Sequence, residues 1–596
     1  MKLPPNVRTN ASADPMIAGR GQFSAISLAS IIAIAMFMYL LEKIGVPKNY
    51  NDFLFAVFVA GTLCIIGFRS ATVYYSDWFV CGTRVVAPIN GMALAIMGMA
   101  GCFLLTLPGL YFSESTLAPA ILAAPLAGLA LSSFFTGPFI SQSGTVSLGA
   151  FLAKRYKSRI LTLLVLLAVT ACCLLFLWSQ LSIVAALGSK FAAVDEKYVL
   201  FATAIVMAIT VVPGGLFAVL RANVFCYILA AVAILGAAIW LSAITTAIPF
   251  PQIGMGPAAL DPVAALESQL DEVRIPRIGA GVDTGWPQIT SISQAGLIFF
   301  ILAVGFMALP ALLSGFQPIP GPYTARKSAG WAILFCAVVL TAIPAIAAFT
   351  KLGIYSSLLG VTAEEVGDDA GWIFWWSGQT AVLTLDKPLF KICGSIVQST
   401  AQVVAACGGN PDHAVGPADI GVHGELPLYA LAEIMSLPQA LTVLAAAGLV
   451  AASIAVANMF AFTIGSALSE DGRACFTSRS LPDTARVFAA RLGVLFGIAA
   501  AAVLAENVNV SPLEPMLWAI AISASVIAPC LVLSIWWRRT TLLASISGML
   551  IPACVLLAAF ASRFETGFGL PWLKHAYTAL GSYLAPNAGN LPVSIV

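Results

Sequence analysis

Charged side chains are scarce in this chain, and their scarcity decides the class of protein. Only 9% of the 596 residues are Asp, Glu, Lys or Arg, whereas 60% are hydrophobic and the mean hydropathy is +0.95. A soluble protein of this length needs far more charge to cover its surface. The composition therefore excludes a soluble protein and indicates a polytopic membrane protein. The net charge of +2 gives no indication of a nucleic-acid partner, and we expect none.

The sequence also lacks the groupings of residues that mark metal and catalytic centres. Most of the twelve cysteines lie in apolar runs and none shows metal-ligand spacing. Cys393 and Cys407 fall in a large loop, where a disulfide and two free thiols are both open and we favour the thiols. No nucleophile–base pair appears at membrane depth. We therefore expect no enzyme activity and no cofactor, apart from Na⁺ or H⁺ as a coupling ion.

Apolar runs long enough to cross a bilayer recur along the chain and predict an all-α membrane protein with about thirteen transmembrane helices. Two hydrophilic segments, 247–292 and 351–436, interrupt them and are rich in Pro, Gly and acidic residues. The predicted spans are residues 24–45, 52–70, 89–112, 117–140, 159–187, 197–219, 222–246, 293–317, 328–350, 437–467, 485–505, 512–537 and 540–562.

The distribution of Lys and Arg predicts the orientation. If the N-terminus is inside and every segment crosses, most of the 29 Lys and Arg fall on the cytoplasmic side, as the positive-inside rule requires. The C-terminus is then outside. The predicted parts are a cytoplasmic N-terminus (1–23), two peripheral helices (24–70), a first repeat (89–246), an external loop (247–292), a second repeat (293–537, with an external insertion at 351–436), a peripheral helix (540–562) and an external tail (563–596).

The third to twelfth spans divide into two sets of five that begin on opposite sides of the membrane. This arrangement predicts an inverted repeat in which the first helix of each half is broken at the bilayer midplane and forms the binding site. The two first helices, 89–112 and 293–317, are both interrupted by glycine and proline. The interrupting residues taken as candidate solute-binding positions are Gly91, Gly101, Gly305 and Pro310, and Gly98 is the fifth such residue.

Ionisable residues are missing from the middle of every predicted span, so we expect no buried proton relay. The three histidines, His413, His423 and His575, fall in external segments and are expected to be solvated. Gln180 is the best polar candidate to face a cavity, with a hydrogen bond to a neighbouring helix as the alternative. For Asn458 we favour the interhelical hydrogen bond.

Short stretches in a fixed order resemble the sodium:solute symporter family, and most closely its cation/acetate symporter branch. Residues 77–95 (DWFVCGTRVVAPINGMALA) resemble the entry to the first core helix, and 212–225 (VPGGLFAVLRANVF) the turn between the fourth and fifth. Residues 308–330 resemble the segment after the broken sixth helix, and 466–471 the end of the eighth. The ordered set covers about 75–540 and implies a LeuT-like core with a 5+5 inverted repeat.

The departures from the family's pattern concern its functional side chains. The family's carboxylate in the first core helix falls on Met97, which remains a candidate substrate-binding position. Its histidine and arginine after the broken sixth helix fall on Ala311 and Gly315. Its two sodium-binding hydroxyls in the eighth helix fall on Ala455 and Val456.

A cation site is still conceivable in this register, because backbone carbonyls survive any change of side chain. The family's carbonyl ligands fall on Ala95 and Gly98, and Ser453 lies two residues from the missing hydroxyls. Hard cations need several oxygen ligands. Without the hydroxyls and the carboxylate, we expect no tight Na⁺ binding at Ala95, Gly98, Ser453, Ala455 and Val456.

The resemblance implies a secondary transporter of a short monocarboxylate such as acetate, in the inner membrane of a bacterium. A small carboxylate can be held by backbone N–H groups at the ends of half-helices. The alternative is a sensor or partner-dependent subunit that keeps the fold without coupled transport. The insertion 351–436 covers the outer vestibule or docks a protein partner, and its Trp372, Trp375 and Trp376 are expected to anchor at the membrane interface.

Overall fold

The computed structural model describes residues 22–46, 48–192, 194–272, 284, 286, 291–384, 387–435, 437–476 and 481–562. Helices make up most of this part of the chain, which also holds one two-stranded sheet. The predicted cytoplasmic segment 1–23, except its last two residues, lies outside the described residues. So do the predicted tail 563–596 and His575 within it.

The helices follow one another in the order that the apolar runs predict. The first part contains α1 (Gln22–Ile44), α2 (Lys48–Arg69), α3 (Tyr75–Val80), α4 (Ala87–Ala95), α5 (Gly101–Phe112), α6 (Ala118–Phe135), α7 (Gly137–Ser143), α8 (Leu148–Tyr156), α9 (Arg159–Ala192), α10 (Glu196–Gly214) and α11 (Leu216–Thr246). The predicted external loop holds α12 (Pro251–Met255) and α13 (Asp261–Glu272).

The second part repeats the scheme with a large insertion. It contains α14 (Ile292–Ala308), α15 (Pro310–Ser314), α16 (Pro322–Leu340), α17 (Ile343–Leu358), α18 (Val366–Asp369), α19 (Trp372–Ser377), β1 (Phe390–Ile392), α20 (Thr400–Ala406), β2 (Ile420–Val422), α21 (Leu426–Ile434), α22 (Gln439–Phe476), α23 (Asp483–Asn507), α24 (Leu513–Ile522), α25 (Ala528–Trp536) and α26 (Leu542–Ser562). Within the described residues, eleven helical segments are long and apolar enough to cross a membrane, the pair α16–α17 counting as one. The other two predicted spans, 89–112 and 293–317, consist of shorter helices because both are broken.

The first broken helix is interrupted between α4 and α5. Residues Ile96–Met99 form a 3-10 turn, and Ala100 is extended, with φ −56° and ψ 143°. No proline lies at this break, and Pro108 is accommodated inside α5. The tighter turn and one extended residue therefore leave both peptide ends of the break without regular helical hydrogen bonds.

The second broken helix is interrupted at Leu309, between α14 and α15. Leu309 is extended, with φ −54° and ψ 121°, and Pro310 follows it. Proline disfavours helical geometry for the residue before it and has no N–H group to donate. The sequence therefore explains why the break lies at Leu309, directly before Pro310. Gly305, four residues earlier, remains helical.

The long helix α22 forms the centre of the bundle, where it packs against α9, α11 and α23. Close approach depends on small residues at the contacts. A Cβ atom on Gly448 would lie 2.4 Å from the Ala233 side chain of α11, and one on Gly465 would lie 2.6 Å from the Ala490 carbonyl oxygen of α23. On the α9 side, the rings of Phe176 and Phe460 are stacked with their centroids 4.3 Å apart.

The predicted insertion folds into a small domain, residues 359–435, which we call the external domain after the side of the membrane predicted for it. Its two strands pair antiparallel, and Cys393 and Cys407 form a disulfide with their Cα atoms 5.4 Å apart. The expectation of two free thiols is therefore wrong. The hydrophilic composition of the segment gave no indication that the two cysteines lie side by side.

Two further expectations about this domain are wrong. Trp376 is almost fully buried, donates to Glu433 and stacks on Tyr429, so it does not anchor the protein at the membrane interface. For Trp372, which is half-buried against Phe390, and for the exposed Trp375, anchoring stays a prediction. His423 is also buried, and its Nε2 lies 2.7 Å from the Thr384 hydroxyl. The buried apolar side chains of the domain, among them Phe390, Val422 and Leu426, belong to one continuous core with those of the bundle.

Candidate functional site

The first break brings polar groups from two helices together. The Gly101 N–H, at the start of α5, donates to Oε1 of Gln180 on α9 over 3.0 Å. The Gln180 side chain is fully buried, and its Nε2 lies 3.4 Å from the Ser179 hydroxyl. Of the two interpretations of Gln180, the structure thus shows the helix–helix hydrogen bond, formed with a main-chain group that the break has exposed.

The same glycine lies against Ser453 of α22. A Cβ atom on Gly101 would lie 2.1 Å from the Ser453 hydroxyl oxygen, so only glycine fits at this position. The Ser453 hydroxyl donates to the Leu449 carbonyl over 3.1 Å, which leaves its lone pairs for another group. The structure therefore brings three of the predicted site residues together at one point: Gly101, Gln180 and Ser453.

The predicted carbonyl positions lie on the other side of the break. Ala95 ends α4, and Met97 and Gly98 belong to the 3-10 turn, all of them buried. A Cβ on Gly98 would lie 2.9 Å from Cys336 Sγ of α16 and 3.2 Å from Pro125 of α6. The Cα of Gly98 therefore faces α16 and α6.

The structure places two other predicted solute-binding glycines apart from the breaks. A Cβ on Gly91 would lie 2.5 Å from the Trp331 side chain of α16. A Cβ on Gly305 would lie 2.5 Å from the Ile520 side chain of α24, and the Gly305 carbonyl accepts a hydrogen bond from Ser523. Both glycines thus allow close helix packing.

The aligned hydroxyl positions Ala455 and Val456 are fully buried, and their side chains offer no oxygen. The Ala455 carbonyl accepts from the Asn223 amide of α11 over 3.0 Å, in the amide orientation that satisfies both ends of that side chain. Asn458 forms no hydrogen bond with the described residues, although it is fully buried, so the interhelical bond favoured from the sequence is not made. Sequence reasoning missed Asn223, whose signal was a lone amide within an apolar run.

The second break lies above a small polar cavity. Pro310 lines it, together with Leu313, Ser314 and Gln317 from the segment after the break. Thr463 of α22 contributes a hydroxyl on the opposite side. Helix α9 and the turn from α7 to α8 close the remaining sides, so the cavity lies between the second break and the predicted cytoplasmic side.

Charged groups are buried at both ends of the bundle. At the predicted outer end, Lys351 pairs with Glu267 over 2.6 Å and with Glu114 over 2.8 Å. At the inner end, the carboxylate of Asp471 accepts from the Ser147 hydroxyl over 2.5 Å and from the Gly149 N–H over 3.2 Å. Asp471 thereby fixes the N-terminus of α8 on the end of α22.

Comparison with known proteins agrees with this geometry. Residues 78–274 match the profile of the Sodium:solute symporter family. The chain is 24% identical to an uncharacterized symporter of Cupriavidus necator (strain H16) over 649 aligned positions, which cover 92% of this chain and 91% of that protein.

Among solved structures, a Na⁺-coupled sialic acid symporter in its substrate-bound outward-open state is similar, with a TM-score of 0.61 and 14% identity. The similarity covers 87% of this chain and 92% of the other. At this identity the likeness shows the fold alone, which is the LeuT-like architecture predicted from the sequence. The profile match over residues 78–274 agrees with the resemblance to the sodium:solute symporter family, and these comparisons do not distinguish its acetate branch.

Proposed function

We propose that this protein is a secondary transporter that carries a short monocarboxylate, such as acetate, across the inner membrane of a bacterium by alternating access. The family and the fold support transport in general. The observation that carries the proposal is the meeting of Gln180 and Ser453 at Gly101, where α5 begins.

The chemistry of this point suits a small anion. The start of a helix presents unpaired N–H groups and the positive end of the helix dipole, and both favour a carboxylate. The Gly101 N–H is already bonded to Gln180, so a carboxylate would bind beside it at the start of α5, and the Ser453 hydroxyl would turn its proton from the Leu449 carbonyl to the anion. No side-chain cation is needed at such a site, which agrees with Met97, Ala311 and Gly315 in place of the family's charged residues.

Transport by alternating access would use the two breaks as hinges. Rearrangement at Ala100 and Leu309, the two extended residues, changes the direction of each half-helix without breaking regular hydrogen bonds. Coupling to Na⁺ or H⁺ is part of the proposal. At the predicted central position, Ala95 and Gly98 offer their backbone carbonyl oxygens and Ser453 offers its hydroxyl. Ala455 and Val456 offer backbone carbonyls and no hydroxyl.

Labelled acetate uptake into proteoliposomes tests this function, with an imposed Na⁺ gradient, an imposed proton gradient or neither. We expect uptake above that of protein-free liposomes, and competition by other short monocarboxylates. In Gln180→Leu, the Gly101 N–H loses its acceptor, so uptake should fall by about tenfold or more, since an unpaired buried donor costs about 1–3 kcal/mol.

Ser182→Ala is the matched control for this variant, because Ser182 lies two residues away on α9 and bonds only to its own helix. Its uptake should equal that of the wild type. Failure of acetate and every related acid under all three conditions would overturn the proposal. It would favour the alternative of a membrane sensor or partner-dependent subunit, which the missing hydroxyls at Ala455 and Val456 support.

A further inference from the structure

The small cavity below the second break is lined by apolar side chains together with six polar side chains from three chain segments. These side chains are Thr145, Ser147, Ser314, Gln317, Thr463 and Ser466. The space inside accommodates about one water-sized particle. A carboxylic acid is too large for it, so an occupant is either one water molecule or one ion stripped of most of its water.

The oxygen atoms around this cavity are acceptors. The Ser314 hydroxyl donates to the Pro310 carbonyl over 3.0 Å, the Thr463 hydroxyl to the Met459 carbonyl over 2.8 Å, and the Ser466 hydroxyl to the Thr463 carbonyl over 3.0 Å. Each hydroxyl has one proton, which the main chain occupies, and two lone pairs. These hydroxyl oxygens therefore offer lone pairs to an occupant of the cavity.

Gln317 adds a fourth acceptor. Its side chain is only 6% exposed, and its Oε1 is buried without a hydrogen-bond partner among the described residues. A buried amide oxygen without a partner costs about 1–3 kcal/mol. An occupant of the cavity that needs oxygen ligands would remove this cost.

The electrostatic surroundings favour a positive occupant. Ser147, on the cavity wall, donates to the buried carboxyl group of Asp471, so its hydroxyl proton is directed to that group and its lone pairs remain for the cavity. Lys and Arg are absent from the residues that line this cavity in the described part of the chain. Lys154 of α8 reaches the Ser143 carbonyl instead.

We propose that this inner cavity, formed by Ser314, Gln317, Thr463 and Ser466, binds one dehydrated monovalent cation of the size of Na⁺. Neutral oxygen ligands suit a hard cation, and the absence of a directly coordinating carboxylate suits a single charge. The site lies on α22 eight residues beyond Ala455, which is about 12 Å along the helix. It would supply the hydroxyl ligands that Ala455 and Val456 lack, and only its role in coupling rests on the transport function proposed above.

Binding to the purified full-length protein in detergent tests the site without transport. Radioactive Na⁺ binding and the Na⁺-dependent shift in unfolding temperature would be measured, with choline keeping the ionic strength constant and K⁺ as the competing ion. We expect saturable Na⁺ binding that K⁺ displaces poorly. Thr463→Val and Gln317→Leu should each weaken it by about tenfold or more, because each removes an oxygen that bonds to a charge.

Two further variants make the result specific. Thr463→Ser keeps the hydroxyl and should bind Na⁺ within about twofold of the wild type, which excludes a general effect of changing residue 463. Ser453→Ala removes the hydroxyl at the first break and distinguishes an ion bound there from one bound in the inner cavity.

The proposal is overturned if the wild type binds no Na⁺, or if Thr463→Val and Gln317→Leu bind it as the wild type does. It is also overturned if Ser453→Ala loses binding while Thr463→Val keeps it, since the ion then lies at the first break. Intact Na⁺ binding combined with no acetate uptake would refute the proposed solute and leave the ion site standing.

Discussion

At the first break, the role of an individual residue depends on how closely the neighbouring helices approach it. Gly101 is the contact at which α5, α9 and α22 meet, and its hydrogen atom faces the Ser453 hydroxyl. Five glycines of the two broken helices lie close to another helix, but only Gly101 faces a polar side chain from α22. The five are Gly91, Gly98, Gly101, Gly305 and Gly315. Gly101 is thus the residue at which the lack of room for a side chain and the contact with polar groups coincide.

A double substitution separates these demands. Gly101→Ala should reduce solute uptake strongly, because its Cβ would lie 2.1 Å from Ser453 Oγ and 3.3 Å from Ile183. Ser453→Ala removes the nearer atom, so the double variant Gly101→Ala/Ser453→Ala should recover part of the lost stability, by about 1–3 kcal/mol relative to additive behaviour. Thermal unfolding of the four proteins measures the coupling. Strict additivity would contradict the contact.

Tyr429, in the external domain, predicts a dependence of stability on alkaline pH. Its hydroxyl donates to Glu425 over 3.1 Å. Burial raises the pKa of Tyr429 well above its usual value of about 10, and the neighbouring Glu425 carboxylate raises it further. The unfolded chain thus ionises near pH 10 while the folded domain keeps its proton, so this stabilisation is present below about pH 10 and is lost as the pH rises further.

The unfolding temperature of the wild type should accordingly fall more steeply above about pH 10 than that of Tyr429→Phe. Tyr323→Phe is the control, because Tyr323 is 79% exposed and should leave the profile unchanged. Parallel profiles for the wild type and Tyr429→Phe would show that the buried phenol does not govern alkaline stability.

Among the structural elements, the external domain is the one about which the apolar runs of the sequence gave the least information. It lies against the bundle at the outer end of the first broken helix, where a Cβ on Gly109 would be 2.2 Å from the Gly424 carbonyl oxygen. The Lys190 ammonium of α9 donates to Thr380, and the Ser511 hydroxyl donates to Leu383. These contacts favour the interpretation of residues 351–436 as a cover over the outer end of the bundle, while a protein partner on this segment stays a prediction.

The disulfide of this domain should contribute measurably to its stability. Cys393 and Cys407 are 14 residues apart, and closing a loop of this length removes unfolded-state entropy worth about 3 kcal/mol. Treatment with dithiothreitol should therefore lower the unfolding temperature of the wild type. The variant Cys393→Ser/Cys407→Ser should unfold at that lower temperature with or without reductant.

Cys554→Ser serves as the control, because Cys554 is a free, exposed thiol on α26 and its removal should leave the effect of the reductant unchanged. An unfolding temperature that does not change when mass spectrometry shows full reduction would contradict the expected contribution.

For the whole molecule, the orientation in the membrane follows from the distribution of Lys and Arg and stays a prediction. A disulfide agrees with an external position for the 359–435 domain, because disulfides persist in oxidising compartments. Cys475, near the other end of α22, is half-buried and free, and it should lie on the cytoplasmic side.

Thiol labelling distinguishes the two orientations. In intact spheroplasts, a membrane-impermeant maleimide should label Cys393 and Cys407 after mild external reduction, and Cys475 only after permeabilisation. Cys475→Ser identifies the second signal. Labelling of Cys475 before permeabilisation would mean that the N-terminus is outside and that the orientation predicted from Lys and Arg is wrong.

The sequence predicted the features that local chemistry controls. Apolar runs of sufficient length located the spans, and Pro310 located the second break because it excludes its neighbour from helical geometry. Gln180 and Gly101 were also predicted as site residues. Their meeting required only that the broken helix and α9 be neighbours in the fold that the resemblance implied.

Other features were not predictable because they depend on neighbours distant in the chain. Whether a glycine lines a cavity or packs on a helix is decided by what faces it, and Gly91 and Gly305 face α16 and α24. The same applies to His423, whose loop composition suggested exposure, and to Asn458, whose buried amide has no hydrogen-bond partner among the described residues.

The sequence by itself determined that this is a helical membrane protein, because the need to satisfy backbone groups in lipid leaves few alternatives for long apolar runs. Only the tertiary structure decided that Cys393 and Cys407 join, and that hydroxyls at 314, 463 and 466 surround one cavity with Gln317. These groups lie on segments separated by up to about 150 residues, and such proximity arises from helix packing, which no local pattern encodes.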